Sequence, residues 1–134
     1  MDSLSLSASA DEPQPSIYER AGGQETFFRL CANFYGGVAE DPVLRPLYPD
    51  DLKHSAWWLA LFLIQYCGGP GDYSAQRGHP RLRMRHLPFK VGQAERDAWM
   101  KHMTKSVEDE IQDAQVKAYL LDYFARTATF MMNS

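Results

Sequence analysis

Arg77-Gly78-His79-Pro80-Arg81-Leu82-Arg83-Met84-Arg85-His86-Leu87-Pro88-Phe89 is the stretch on which the reading of this chain turns. Leu82 to His86 has room for one or two turns of helix. Pro88 helps to end it, because a proline biases the residue before it away from helical angles. The segment therefore carries a histidine near its stop, arginines around it and a phenylalanine just beyond. One neutral imidazole can hold an iron atom through a single nitrogen. Nearby guanidinium groups can pair with the acid groups of an anionic cofactor. A lone histidine is more often a surface or hydrogen-bonded residue. Spacing alone leaves both readings open.

Outward from that stretch the pattern is helical throughout. Ser16 followed by Glu19 is a capping box, and Gly22-Gly23 closes the short helix it starts. Phe27, Cys31, Phe34 and Val38 fall on one face of a helix expected from about Gln24 to Val38. Asp41-Pro42 reads as cap and first-turn proline of a short helical turn, with Leu44, Leu47 and Tyr48 as its apolar contacts. Asp50-Asp51 opens a helix whose face carries Leu52, Leu59, Leu63 and Tyr66, and Gly68-Gly69-Pro70 stops it. Residues 70–80 are rich in Gly, Pro, Ser, Asp and Arg and read as a loop. Two long helices follow, from about Ala94 to Glu110 with Trp99, Met103 and Val107, and from about Ala114 to Met132 with Val116, Leu120, Tyr123, Phe124, Thr127 and Met131 facing inward. No stretch alternates as a strand would, so the fold class is all-α.

The chain has 134 residues, enough for one domain around one core, and residues 1–15 read as a disordered polar tail. Hydrophobic residues make up 45%, sufficient to fill that core. The net charge of −3, with no long basic run, argues against nucleic acid as a partner. Charged or polar residues interrupt every apolar stretch before it is long enough to span a bilayer. The first residues lack the basic start and apolar run of a secretory signal, so the cytoplasm is the expected compartment. Cys31 and Cys67 lie within amphipathic segments and read as small buried hydrophobes.

Several of these pieces, taken in order, resemble the truncated haemoglobins, and within them group II. Tyr18-Glu-Arg-Ala-Gly22-Gly23 and Gln65-Tyr66-Cys67-Gly68-Gly69-Pro70 are similar to the paired-glycine stops of that family. Phe34-Tyr35 resembles its distal tyrosine segment, and Asp41-Pro-Val-Leu-Arg-Pro-Leu-Tyr48-Pro49 its second tyrosine segment. Tyr73 to Phe89 is the strongest match, and Glu95-Arg-Asp-Ala-Trp99 carries the distal tryptophan. The resemblance covers roughly residues 16–133. It implies a two-over-two helical sandwich over residues 16–134, and one haem b per chain. No Cys-x-x-Cys-His is present for covalent attachment of that haem.

Carried over residue by residue, the resemblance makes His86 the proximal iron ligand, its other nitrogen donating to a backbone carbonyl. Tyr35, Tyr48 and Trp99 would line the distal side, where a phenol O–H or an indole N–H can hydrogen-bond a gas ligand. Ser55 is the small residue over the iron, with Leu59 on the same helical face. Leu59, Phe62 and Leu63 would wall the pocket. Arg85 and Tyr73 would meet the haem propionates, and Phe89 would pack on the proximal side. His79 and Arg77 read as residues that tie the loop, and His102 as a surface residue. The chain departs from the family at Trp57-Trp58, where charged residues are expected, and at Cys67, where a tryptophan is usual. The tryptophan pair would shield the pocket edge or form a contact patch with another subunit. His54 offers an alternative iron ligand, which the small Ser55 and the waiting polar residues argue against.

The resemblance implies reversible binding of O2 and other diatomic ligands, NO and CO among them. The alternative is an enzyme, a nitric oxide dioxygenase or a peroxidase-like protein acting on peroxide. That chemistry would draw electrons from an external reductase, because the chain has no flavin or nicotinamide domain. A helical interaction module presenting Trp57-Trp58 is the reading without haem. No nucleic acid or membrane partner is expected, and the chain would work as a monomer or homodimer.

Overall fold

The computed structural model describes residues 15–134, so the tail expected over the first fifteen residues lies, but for Pro15, outside the described part. Among the described residues every regular element is helical. These are α1 (Ile17–Ala21), α2 (Gln24–Ala39), a 3-10 turn (Arg45–Leu47), α3 (Leu52–Tyr66), α4 (Asp72–Arg77), α5 (Leu82–His86), α6 (Gln93–Glu110) and α7 (Ala114–Phe130).

Two helix pairs make the sandwich. Helix α2 packs along α3, α6 packs along α7, and the pairs meet where α2 crosses α6. The interface is built from the i, i+4, i+7 face of α2: Phe27, Cys31, Phe34 and Val38 are fully buried. They meet Leu63 and Ile64 of α3, Met103 and Val107 of α6, and Val116, Leu120 and Phe124 of α7 in one core. Both cysteines are buried and unbridged, and burial pushes the Cys67 thiol up to about 12 and that of Cys31 higher still. Neither is a thiolate at neutral pH, which agrees with reading them as small hydrophobes.

The paired-glycine stops do the same job at two corners. Gly22 and Gly23 have φ of 113° and 80°, a region that side chains with a Cβ rarely enter. Their turn lets α1 fold back so that Tyr18 N–H donates to the carbonyl of Cys67, at the end of α3, at 2.8 Å. Ser16 and Glu19 form the reciprocal capping box that the sequence predicts. Arg20 reaches from α1 to Asp113, the N-cap of α7, with Nη2 to Oδ2 at 3.0 Å.

The expected loop over residues 70–80 contains helix α4 instead. Its polar composition hid one anchor: Tyr73 is buried, and Gln65 of α3 clasps Ser74 through Ser74 N–H to Oε1 at 2.8 Å and Nε2 to Oγ at 2.7 Å. A helix of six residues needs such tertiary ties, because a single turn is not stable alone. Tyr66 also departs from expectation. It is 42% exposed, and its ring stacks on Tyr123 at 4.0 Å between centroids.

Helix α3 starts at Asp51, whose Oδ1 accepts from the N–H groups of Lys53 and His54 at 3.1 and 3.2 Å. Asp51→Ala leaves those donors without the carboxylate and should destabilise the fold by about 1 kcal/mol. Denaturant unfolding checks this, with a lowered midpoint and an unchanged slope expected.

Candidate functional site

Between the helix pairs and the short helices α4 and α5 lies a cavity of about 520 Å³. That size suits a cofactor or a small-molecule ligand. Its walls are mostly apolar: Leu44, Leu47, Leu59, Phe62, Leu63, Val91 and Phe124 all face it. Every residue expected to hold a haem or face its gas ligand lines this one cavity, namely Tyr35, Tyr48, Ser55, Leu59, Phe62, Leu63, Tyr73, Arg85, His86, Phe89 and Trp99.

His86 is the last residue of α5. Its Nδ1 lies 2.7 Å from the carbonyl oxygen of Leu82, one helical turn back. A carbonyl only accepts, so Nδ1 carries a proton, and in the neutral ring Nε2 keeps its lone pair. Histidines that bind a metal are commonly held in this way by the second nitrogen. Among the described residues no group of three His, Cys, Asp or Glu is arranged to hold a bare metal ion. A metal at His86 must therefore bring its other ligands with it, as the iron of a porphyrin does. The apolar walls, the oriented imidazole and the arginines at the rim fit such a group.

A residue that sequence reasoning passed over steadies this segment. Asn133 donates from Nδ2 to the carbonyl of Phe89 at 2.9 Å and to that of His86 at 3.4 Å, while its Oδ1 accepts from Val91 N–H at 2.9 Å. Arg83 donates from Nη1 to the carbonyl of Phe130 at 2.9 Å. The histidine segment is thus fastened to the residues around the end of α7, far away in the chain. No local motif announces an asparagine acting at such a distance.

The rim carries the cations. Arg85 spends its Nε on the Pro80 carbonyl at 2.9 Å. Arg77, read from sequence as a loop tie, lines the cavity with its guanidinium 4.5 Å from the Trp58 ring centroid. Tyr73 sits beneath it with its ring edge-on to Trp58 at 5.7 Å. His79 does tie its loop, accepting from Arg81 N–H at 3.0 Å through Nδ1. The tryptophan pair divides its work. Trp58 lines the cavity, while Trp57 is 40% exposed and meets it edge-on at 4.8 Å. His54 stands on the same rim, its ring 6.1 Å from that of Trp58.

The polar handles inside the cavity belong to three separate elements: Tyr35 to α2, Tyr48 to the end of the 3-10 turn and Trp99 to α6. Phe34 is wedged among them, its ring 5.0 Å from Tyr35 and 5.1 Å from Trp99. The Tyr35 and Tyr48 rings meet edge-on at 5.3 Å. Burial pushes the Tyr48 hydroxyl up to about 12, even though hydrogen-bonding groups on Trp99 and Tyr35 face its oxygen and favour the anion. Tyr35 lies deeper and its hydroxyl is raised further, first by burial and then by the charge that Tyr48 would carry. Both phenols are therefore neutral donors at physiological pH.

A family profile described as bacterial-like globin matches residues 16–133. This chain belongs to that family. Group 2 truncated hemoglobin YjbI of Bacillus subtilis is 37% identical over 111 residues, which is 83% of this chain and 84% of that protein. The solved hemoglobin of the thermophilic phototrophic bacterium Chloroflexus aurantiacus superposes with a TM-score of 0.88 at 46% identity, covering 90% of this chain and all of that one. The thermostable hemoglobin of the actinobacterium Thermobifida fusca gives 0.86 at 50% identity, over 88% and 97% of the two chains. The fold is therefore the truncated-globin sandwich of group II, and the cavity lies between its helix pairs.

In this globin the raised phenols make a prediction for alkaline pH. Tyr48 holds its proton more tightly folded than unfolded, where the ordinary value is 10.0. Its contribution to stability is complete below pH 10 and is lost as pH rises towards about 12. Tyr48→Phe should therefore flatten the fall in Tm between those two pH values, measured by thermal unfolding across an alkaline series.

Proposed function

We propose that this globin holds one haem b without a covalent link and uses it to bind O2 and other diatomic gases reversibly. The observation that carries the proposal is the oriented imidazole of His86, with Nε2 free, in one cavity with three neutral polar aromatics. When bound, haem would supply an iron that His86 holds through a nitrogen and that can take a diatomic gas.

His86 fills the protein side of that arrangement. The Leu82 carbonyl fixes its tautomer and ring angle, so the lone pair on Nε2 points one way only. Arg77, together with Arg85 and Tyr73, stands at the rim where the acid groups of a haem would emerge. Arg77 has its guanidinium over the Trp58 ring and brings a fork suited to carboxylates. Leu59, Phe62, Leu63 and Phe89 exclude water from the faces of the ring. Ser55 leaves space where a larger side chain would stand.

Tyr48 is the central donor on the gas side. Trp99 and Tyr35 face its oxygen, which leaves its own O–H to donate to a gas that carries partial negative charge. Hydrogen bonds arranged in a row polarise one another, so the two supporting donors strengthen the third. Each such bond contributes roughly 1–2 kcal/mol in a dry site. His54 stays on the rim and the gas position remains open. Turnover as a dioxygenase or peroxidase would use the same donors but would need electrons from a reductase partner. No helix among the described residues is long and apolar enough to cross a membrane.

Two measurements test the reading. His86→Ala should release haem faster and change the ferrous absorption spectrum, and an unchanged spectrum would remove His86 from the axial role. Trp99→Phe keeps a ring and deletes the indole N–H. It should raise the O2 dissociation rate by about tenfold, or 1.4 kcal/mol, with little effect on association. Stopped-flow release of O2 provides the comparison.

A further inference from the structure

His102, expected on the surface, is a half-buried residue of α6 whose Nε2 lies 2.6 Å from Oδ2 of Asp41. The side chains are only 15% and 13% exposed. The imidazole is seated against α2 so closely that a Cβ on Gly37 would collide with its Nδ1. Such burial is expensive for a charged or polar pair that serves nothing. Neither residue lines the haem-sized cavity.

The residues after Asp41 show what this contact holds in place. The other carboxylate oxygen, Oδ1, accepts from Val43 N–H at 2.8 Å and from Leu44 N–H at 3.4 Å. The Asp41 carbonyl accepts from Arg45 N–H at 2.8 Å. Arg45 in turn donates from Nη1 to the carbonyls of Tyr48 and Pro49 at 3.2 and 3.1 Å, and from Nη2 to that of Asp50 at 3.3 Å. The turn is thus a braced unit, fixed at its start to α6 and ending on Tyr48. His102 lies three residues beyond Trp99 on that same helix. The helix that presents the indole N–H therefore also grips the turn that presents the phenol.

We propose that His102 and Asp41 are positioning residues for gas binding: their bond sets the distance between the Tyr48 hydroxyl and the Trp99 indole, and through it the hold on the bound gas. The proposal rests on the reading of Tyr48 as a gas-side donor. His102 holds Asp41 below the usual carboxylate range, as a bond present in the folded protein must.

The test uses the haem-loaded protein with His102→Leu, His102→Gln, Tyr48→Phe and the His102→Leu/Tyr48→Phe double variant. Glutamine places an amide N–H near the position of Nε2 and leucine does not. His102→Leu should raise O2 release on the order of fivefold, His102→Gln should restore most of the parental rate, and the double variant should release O2 no faster than Tyr48→Phe alone. The Trp99 indole N–H resonance of the CO-saturated protein, assigned with Trp99→Phe, should move in His102→Leu and return in His102→Gln. If His102→Leu does not fold, Gly37→Ala takes its place, because its Cβ displaces the imidazole. An equal rate increase with and without Tyr48, or a glutamine variant as fast as the leucine one, overturns the proposal. If Tyr48→Phe leaves O2 release unchanged, the donor reading fails by itself. The indole resonance then decides the tether: a shift that glutamine reverses sustains it, and no shift overturns it.

Discussion

The crossing of α2 over α6 around Phe34 is the contact on which everything else depends. Phe34 is fully buried and touches rings on both sides, Tyr35 on its own helix and Trp99 on the other. It fixes how deep the two polar handles sit and how far apart. A ring here serves packing and chemistry together. Its removal would leave a cavity in the core and free two side chains whose value lies in their orientation. The cavity exists because this crossing holds two helix pairs together at one line while α4 and α5 span the gap they leave.

The two sides of the cavity are built by different physics. The side that carries Tyr35, Tyr48 and Trp99 is close-packed core. Tyr35, Leu44, Leu63 and Phe124 are buried, and their burial raises the phenols and keeps them neutral. The His86 side is thin. Helix α5 buries none of its residues, and Met84, Leu87 and Phe89 are exposed. That side is fastened by discrete hydrogen bonds from Asn133 and Arg83 and by the Arg83 guanidinium over Phe130 at 5.4 Å. A large flat ligand gripped between the two sides would add to the thin side the apolar contacts it lacks. Binding to the folded chain alone would then stabilise that part of the protein by mass action.

Much of this is legible in the sequence. Period and punctuation place the long helices within a residue or two, because Phe27, Cys31, Phe34 and Val38 repeat at helical spacing and glycine pairs mark the corners. The same signals fail at Asp72–Arg77. There the helix is held by a tyrosine packed beneath Trp58 and by a glutamine from α3, and its own composition is that of a loop. They fail again at His102, since a polar residue on a long helix is ordinarily solvated. Only the carboxylate arriving from Asp41, far away in the chain, makes this one different. Arg77 escapes notice as a cavity residue for a related reason: a cation–π contact leaves no pattern in a sequence.

The sequence by itself determined the helical class, the helix ends, the burial of both cysteines and the family to which the chain belongs. Each of these rests on local periodicity, on capping and glycine chemistry, or on motifs in a set order. Tertiary structure alone decided that Tyr35, Tyr48 and Trp99 come together in one cavity, and that His86, held through Nδ1 by the Leu82 carbonyl, lines that same cavity. It alone decided that Asn133 and His102 act on segments distant from them in sequence. The physical reason is one of range. Propensity and periodicity act over a few residues, whereas hydrogen bonds and burial depend on which side chains the packing of α2 against α6 and α3 brings within a few ångströms of one another.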